Sequence, residues 1–310
     1  MAPLRFGLLG TGYWARQAHG RGLLASPDAQ LVGLWGRDPS KAAEAASELG
    51  VASFGTPEDL FGAVDAVAFA LPPDVQADLA VRAAQAGCHL LLEKPLALDV
   101  AAAEALVRAV DDAGVASVVF FTQRFVPAHE AWLSQAVQDG PWHSGHLVHY
   151  ANIFQPGNPF GASPWRRLMG ALWDIGPHAL SLALPVMGPA LSVSGRRGPA
   201  GSDTVHLVVA HGSPSGSGAV AASTVSLSLT IPPAAAANTF SVYGEKGART
   251  RPEAAFQPQD ALGAAVHELA GLVATGERHH RCDAHFGLEV VRALAAAQRA
   301  VELPGAEVPL

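Results

Sequence analysis

The chain has 310 residues, 49% of them hydrophobic and 15% charged, with a net charge of −7. That composition supports a sizeable core and excludes intrinsic disorder, which needs low hydrophobicity with high net charge. The negative balance offers no electrostatic footprint for nucleic acid or anionic lipid. No run of about 18 uninterrupted apolar residues occurs, so no membrane span is expected. The opening "MAPLRFGLLGTG" enters a strand without the charged and apolar regions of a signal peptide. Cys88 and Cys282 are too few for a disulfide framework, and a reducing cytoplasm is the expected setting.

The spacing predicts a strand at 5–10, a helix at 13–26, a strand at 30–36 and a helix at 39–50. Pro39 stands near the start of that second helix and Gly50 just past its end. A strand at 64–73 runs into Pro72 and Pro73. A helix at 74–87 closes on Gly87, and a strand at 88–95, a helix at 99–114 and a strand at 115–121 follow. Strand and helix in alternation, with continuous apolar strands, predict a parallel sheet covered on both faces. Right-handed crossovers make it doubly wound.

Past residue 122 the rhythm changes. A helix is predicted at 127–139, a strand at 144–153, a Pro/Gly-rich loop "QPGNPFGASPW", and a helix over 174–187. Strands are predicted near 190–197, 204–211, 218–230 and 238–243. "HGSPSGSGA" reads as a hairpin loop and "PPAAAAN" as a connector. Helices at 258–275 and 284–300 close the chain. Consecutive strands divided by turns predict an α+β domain with a largely antiparallel sheet flanked by helices. The expected division is 1–122 and 123–310.

"GLLGTGYWA" sets Gly10, Gly12 and Ala15 as G-x-G-x-x-A, after the first strand and at the opening of the first helix. Gly10 permits the tight turn, Gly12 lets backbone approach a pyrophosphate, and Ala15 lets helix pack on strand. The helix N-terminus adds N–H groups and a partial positive charge. Residues 1–122 therefore read as a Rossmann dinucleotide-binding domain. The alternative is a structural turn with no ligand. Thr11, Tyr13 and Trp14 lie within the turn, where Tyr13 and Trp14 either flank a nicotinamide or pack against the domain. The second strand ends at Gly36, followed by Arg37 and Asp38. A small residue with an arginine suits a 2′-phosphate, so NADP is expected, with NAD as the alternative. In that alternative Arg37 stacks on adenine or faces water while Asp38 caps the next helix.

Leu71 and Pro72 end the fourth strand, and Glu93, Lys94 and Pro95 end the fifth. Ligands of open α/β sheets bind outside these carboxyl ends. An ammonium there can be aimed at a substrate oxygen, or it can be a surface lysine paired with Glu93.

The segments "GLLGTGYWA", "GRDPSKA", "VDAVAFALPP", "GCHLLLEKPLALD", "TQRF" and "WDIGPHALSLAL", in that order, resemble the glucose–fructose oxidoreductase / inositol dehydrogenase / rhizopine-catabolism family (Gfo/Idh/MocA). The resemblance covers nearly the whole chain, and E-K-P after an apolar strand is its most specific mark. It implies an NAD(P)-dependent oxidoreductase moving a hydride between a nicotinamide and a CH–OH carbon of a sugar, cyclitol or related polyol. It implies that Lys94 lies beside nicotinamide and substrate, that the bond before Pro95 is cis, and that Glu93 orients Lys94 or meets the nicotinamide ribose. Where the family often carries a histidine after the fourth-strand proline, this chain has Gln76, which hydrogen-bonds but does not titrate.

Asp174 and His178 stand at i and i+4, one face of a helix that Pro177 requires to begin near Asp174. Spacing alone leaves open an N-cap and a helix-face histidine. The resemblance implies that D-x-G-x-H supplies an aspartate and a histidine facing the substrate across the nicotinamide. His178 is then the general acid/base, having the pKa best placed near neutrality. Lys94 polarises the oxygen or shares the proton relay, and Asp174 orients substrate hydroxyls or holds His178. Which of Lys94 and His178 is the main proton carrier stays open.

Arg124 in "TQRF" and Trp165, Arg166 and Arg167 in "SPWRRLMG" are candidates for substrate recognition, with solvated arginines as the alternative. Tyr150, Asn152 and Phe154 alternate along a strand and are candidates for its substrate face. "RHHRCDAH" gathers His279, His280, Cys282, Asp283 and His285, but the spacing matches no common zinc pattern. A turn and helix cap is the preferred reading there, with no metal. Two other functions remain open: a hydrolase or lyase that oxidises and re-reduces a glycoside, and a nucleotide-binding regulator without catalysis. The resemblance also implies that residues 123–310 bind substrate and pair through an open sheet face into a homodimer or homotetramer. The apolar strands 204–211 and 218–230 fit that expectation. The expected partner is a small polyhydroxylated molecule, not nucleic acid or membrane.

Overall fold

A computed structural model of the chain describes residues 2–161, 163–212 and 221–310. The chain packs into two compact units. The first comprises the residues up to Phe125 together with Ala255–Leu288. The second comprises Val126–Ala254 and Glu289–Leu310.

The first unit starts with β1 (Leu4–Leu9), a π-helical turn (Ala15–Gly20) and α1 (Arg21–Ala25). Then come β2 (Ala29–Trp35), α2 (Pro39–Leu49), β3 (Ala52–Ser53), α3 (Pro57–Phe61) and β4 (Ala66–Phe69). They are followed by α4 (Pro73–Gln85), β5 (His89–Leu92), α5 (Val100–Ala113) and β6 (Ser117–Val119). The six strands are parallel, in the order β3-β2-β1-β4-β5-β6. The order reverses direction at β1, the doubly wound arrangement. Helix ends follow local chemistry. Asp38 caps α2 by accepting from the N–H groups of Ser40 and Lys41, and Gly50 ends it at φ +69°. Asp99 and Gly114 do the same for α5. Phe6, Leu8, Phe69, Leu90 and Leu91 are fully buried, as strands covered on both faces require. Because all six strands run one way, Gly10, Gly36, Leu71 and Glu93 leave the same edge of the sheet. The strands at 64–73 and 115–121 are shorter than expected, because prolines and the 3-10 turn Thr122–Phe125 stop the pairing. The short β3 and α3 escaped the sequence reading, being too brief for periodicity to register.

The second unit contains α6 (Pro127–Asp139), β7 (Ser144–Tyr150), α7 (Pro164–Asp174), α8 (Gly176–Met187), β8 (Ala190–Arg197) and β9 (Val205–His211). It continues with β10 (Ala221–Ser228), β11 (Ala237–Gly244) and β12 (Gly247–Thr250). Its seven strands run β12-β11-β7-β10-β9-β8-β13, with β13 at Val308–Pro309. Every neighbouring pair is antiparallel except β7 and β10. One face is apolar: Leu147, Leu207, Val225 and Phe240 are buried, and a Cβ on Gly145 would lie 3.1 Å from the Met187 sulfur of α8. The other face carries His146, Val208, Thr224 and Ser241 in one cross-strand row. The loop expected at 211–219, apart from its first two residues, and the start of the strand expected at 218–230 lie outside the described residues.

Two expectations differ here. The strand expected at 144–153 stops at Tyr150, with Asn152 making only an isolated bridge to Thr230. The helix expected over 174–187 begins two residues later, as α8 at Gly176, and Asp174 instead closes a separate helix, α7, which is kinked where Gly170 adopts φ +64°. The chain then returns to the first unit as α9 (Pro258–Thr275) before α10 (Ala284–Glu302). A single cut at 122/123 does not follow this path, since helical periodicity carries no record of which sheet a late helix covers. Among the described residues no helix is long and apolar enough to cross a membrane.

Candidate active site

In the first unit the glycine turn is fixed by close packing. Gly10 has φ +131°, and a Cβ on it would lie 2.5 Å from the Ala70 carbonyl oxygen. Only glycine meets both conditions. The same Cβ would lie 3.3 Å from Cβ of Ala15, which is fully buried, so a side chain at position 10 would be crowded from both sides. A Cβ on Gly12, by contrast, would meet nothing within 4 Å. The backbone there is open to close approach, as a pyrophosphate requires. These residues fit a dinucleotide: a filled first glycine, an open second one, and a helix start beside them. Gly36 is packed under Thr11, whose Cγ2 would stand 2.4 Å from an added Cβ. Arg37 is exposed and makes no hydrogen bond or ion pair with another described residue, while Asp38 is committed to the cap of α2. Tyr13 is about half exposed, at 48%.

Beside the turn, β4 ends in Leu71 and Pro72, and β5 ends in Glu93, Lys94 and Pro95. The Lys94–Pro95 bond is cis. Glu93 is buried and its carboxylate points inward. Oε1 accepts from Trp14 Nε1 at 2.6 Å and from His19 Nε2 at 2.8 Å, and Oε2 accepts from the Lys94 N–H at 3.2 Å. Gln76 is fully buried and grips the backbone of the same residue. Its Oε1 accepts from Glu93 N–H at 2.8 Å, and its Nε2 donates to the carbonyls of Glu93 at 2.7 Å and of Pro95 and Leu96 at 3.3 Å. A carboxamide carries both a donor and an acceptor and so pairs with both polar groups of one peptide residue. Arg124 also lies in the first unit, at 3% exposure, over the ring of Phe286.

In the second unit Asp174 ends α7, and His178 lies in the first turn of α8. Asp174 is therefore not the cap of the histidine's helix. Its Oδ2 accepts from Arg166 Nε at 3.0 Å, and both side chains are largely buried. Arg166 and Arg167 occupy the first turn of α7, not the preceding loop. Arg166 lies over the rings of Phe160 and Trp165, and Arg167 over Phe154 at 4.6 Å. On β7, alternation puts Tyr150 on the face of His146 and Val148. The residue facing α8 is His149, whose ring centre lies 6.3 Å from that of His178. The two-residue period was visible in "GHLVHY", but which of its two faces met the helix was not.

The late histidine cluster serves packing. His280 and Arg281 both bind Glu268 of α9, Arg281 also donates to the Arg124 carbonyl, Asp283 caps α10 through Phe286 N–H, and His285 meets Asp111. Burial alone would raise the Glu268 carboxyl, but these hydrogen bonds outweigh it and hold the pKa at about 2. Among the described residues no group of three or more His, Cys, Asp and Glu is placed to hold a metal ion. Cys88 is buried, which pushes its thiol up to about 11 and makes it a poor nucleophile.

The sequence of residues 4–121 matches the model of an oxidoreductase family with an NAD-binding Rossmann fold, GFO_IDH_MocA. The chain is 31% identical over 221 residues to the dTDP-3,4-didehydro-2,6-dideoxy-alpha-D-glucose 3-reductase of Streptomyces antibioticus, covering 67% of this chain and 66% of that protein. It is 33% identical over 136 residues to the UDP-N-acetylglucosamine 3-dehydrogenase of Acidithiobacillus ferrooxidans, covering 44% and 42%. The alignments thus span less than two thirds of either relative. A solved levoglucosan dehydrogenase, in complex with NADH and levoglucosan, has the same fold at TM-score 0.83 and 20% identity, covering 99% of this chain and all of that one.

Proposed function

Because this chain belongs to the Gfo/Idh/MocA oxidoreductase family, we propose that it transfers a hydride between a nicotinamide cofactor and a secondary alcohol carbon of a sugar, cyclitol or related polyol. The observation that carries the reading is the turn beside the cis Lys94–Pro95 bond. Gly10 is locked against Ala70, Gly12 is open to approach, and a lysine leaves the next-but-one strand at the same sheet edge. When bound, the nicotinamide supplies the hydride acceptor or donor. The chain supplies the proton chemistry at the substrate oxygen. Lys94 hydrogen-bonds that oxygen and offsets its developing charge. His178 takes or returns the hydroxyl proton. Asp174, held by Arg166, receives the substrate's other hydroxyls. Relatives that act on nucleotide-linked sugars and on levoglucosan support this substrate class.

NADP is the proposed cofactor. Arg37 is exposed, and the Asp38 carboxylate that could have met a 2′-hydroxyl caps α2 instead. Packing of Thr11 accounts for the glycine at 36, so the arginine is the sharper test. NADP should bind more tightly than NAD, and Arg37→Ala should erase the difference. A homodimer or homotetramer through the open sheet face is part of the proposal, supported by exposed Val208 and Tyr243 on that face. So is a cytoplasmic setting.

The decisive assay follows nicotinamide absorbance with a panel of sugars, cyclitols and nucleotide-linked sugars. Net cofactor turnover is expected, and Lys94→Ala and His178→Ala should each lower kcat by about 10²–10⁴-fold. Near-wild-type turnover removes the substituted residue from the chemistry. Substrate consumed without net cofactor change identifies a transient-redox hydrolase instead.

A further inference from the structure

Two of the donors on the Glu93 carboxylate come from one helical turn. Trp14 and His19 are five residues apart. In an α-helix, residues five apart point about 140° away from each other, at 3.6 residues per turn. Here Ala15–Gly20 is π-helical, with the Arg21 N–H reaching the Arg16 carbonyl, and that wider turn brings fifth neighbours to one side. Both rings can therefore reach the same oxygen, Oε1 of Glu93. Facing a carboxylate, Nε2 of His19 is the donor. The His19 ring is fully buried, edge-on to Trp14 and Phe120. Its Nδ1 has no hydrogen-bond partner among the described residues. An apolar ring would fill the same space without burying an unsatisfied nitrogen. Packing alone therefore does not explain a histidine, and its one hydrogen bond is to Glu93.

We propose that His19 is a positioning residue for Lys94, acting through Glu93. The carboxylate that His19 and Trp14 hold accepts the Lys94 N–H, while Gln76 fixes the backbone one residue earlier. The side chain of Lys94 thus leaves from a peptide anchored at both ends. Trp14 belongs to the glycine turn, so the turn that takes the cofactor and the peptide that carries the amine are tied through one carboxylate. The inference rests on the reading of Lys94 as the amine of the site.

His19→Gln keeps a donor at the reach of Nε2, whereas His19→Asn stays polar but falls short of Glu93. The Asn variant should lower kcat about tenfold, with substrate KM and NADP Kd within about twofold of wild type, and the Gln variant should recover most of that loss. In a Glu93→Met background, which leaves no oxygen to accept from residue 19, the difference between the two should vanish. A second readout needs no substrate. Pyridoxal phosphate condenses with an accessible lysine amine, releasing water, and borohydride reduces the imine to a stable adduct counted by mass spectrometry. The rate at Lys94 should change several-fold in His19→Asn and return in His19→Gln, with Lys41 and Lys246 unchanged. Equal Lys94 rates in wild type and both variants overturn the inference, as does a loss in NADP affinity with kcat intact. If His19→Asn does not fold, Glu93→Gln must shift the Lys94 rate, and an unchanged rate overturns the inference. Shifted Lys94 rates with no turnover of any sugar sustain the positioning role and count against the oxidoreductase reading alone.

Discussion

The glycine turn of the first unit and the Asp174 segment of the second are built on different principles. In the turn the backbone does the specifying. Gly10 sits at φ +131° against a carbonyl, and Gly36 lies under Thr11. Each requirement is met by one residue type at one position. Around Asp174 the backbone only delivers the side chain. A left-handed Gly170 breaks the helix, and the carboxylate is then held by Arg166, eight residues earlier. A site defined by backbone can be read from spacing. A site defined by side chains depends on where a helix breaks, and spacing misplaces it.

The sharpest attempt to break that contrast is Gly10→Ala. A methyl group there meets the Ala70 oxygen at 2.5 Å in a conformation that L-residues rarely adopt. The expected cost is about 4 kcal/mol, or roughly 10 °C in Tm, together with loss of measurable NADP binding. Gly12→Ala, with open space around the new Cβ, should leave Tm nearly unchanged while still weakening NADP binding. Equal Tm losses from the two variants would mean that the turn is not held as described.

Around Asp174, side-chain identity should matter more. Arg166→Met leaves a carboxylate at 7% exposure without its guanidinium. Breaking such a pair from one side costs about 3 kcal/mol, and turnover should fall about tenfold if Asp174 meets the substrate. Arg166→Lys should restore part of the stability but little of the turnover, because an ammonium cannot reproduce the Nε contact and the stacking on Phe160 and Trp165. Full rescue by lysine would show that charge alone suffices.

The same contrast explains what the sequence made legible. The parallel sheet, its helices and the edge carrying Gly10, Pro72 and Lys94 followed from apolar runs, caps and prolines, all local signals. His19 escaped notice because nothing in "YWARQAHG" marks a π turn, and without it Trp14 and His19 belong to different faces. Spacing points to Tyr150 and passes over His149, because alternation gives two faces but not which one meets a helix. In the sequence Gln76 stands out only for lacking a titratable ring. Its four hydrogen bonds to the Glu93–Leu96 peptides appear only when that turn is folded against α4. Sequence continuity places 255–288 in the second domain, yet α9 packs within the first unit.

That last segment supplies the smallest effect and limits the contrast itself, because it completes a locally legible unit that the chain leaves at Phe125 and rejoins at Ala255. Glu268 of α9 is bound by His280 and Arg281, and Arg281 reaches the carbonyl of Arg124 at the end of the Rossmann strands. Against a reference value of 4.5, the carboxyl is held at about 2 in the folded state. A depressed carboxylate binds its proton less readily folded than unfolded, so its stabilisation is complete above pH 4.5 and is lost as pH falls through 2. Allowing for the 28% of the side chain open to solvent, the contribution is about 2 kcal/mol at neutral pH. Glu268→Gln should lower stability by that amount at pH 7 and by almost nothing near pH 2, so urea midpoints of variant and wild type should converge on acidification. Parallel curves across that window would mean that the clamp on α9 is held by shape, not by charge, and that the first unit recruits its distant helix through packing alone.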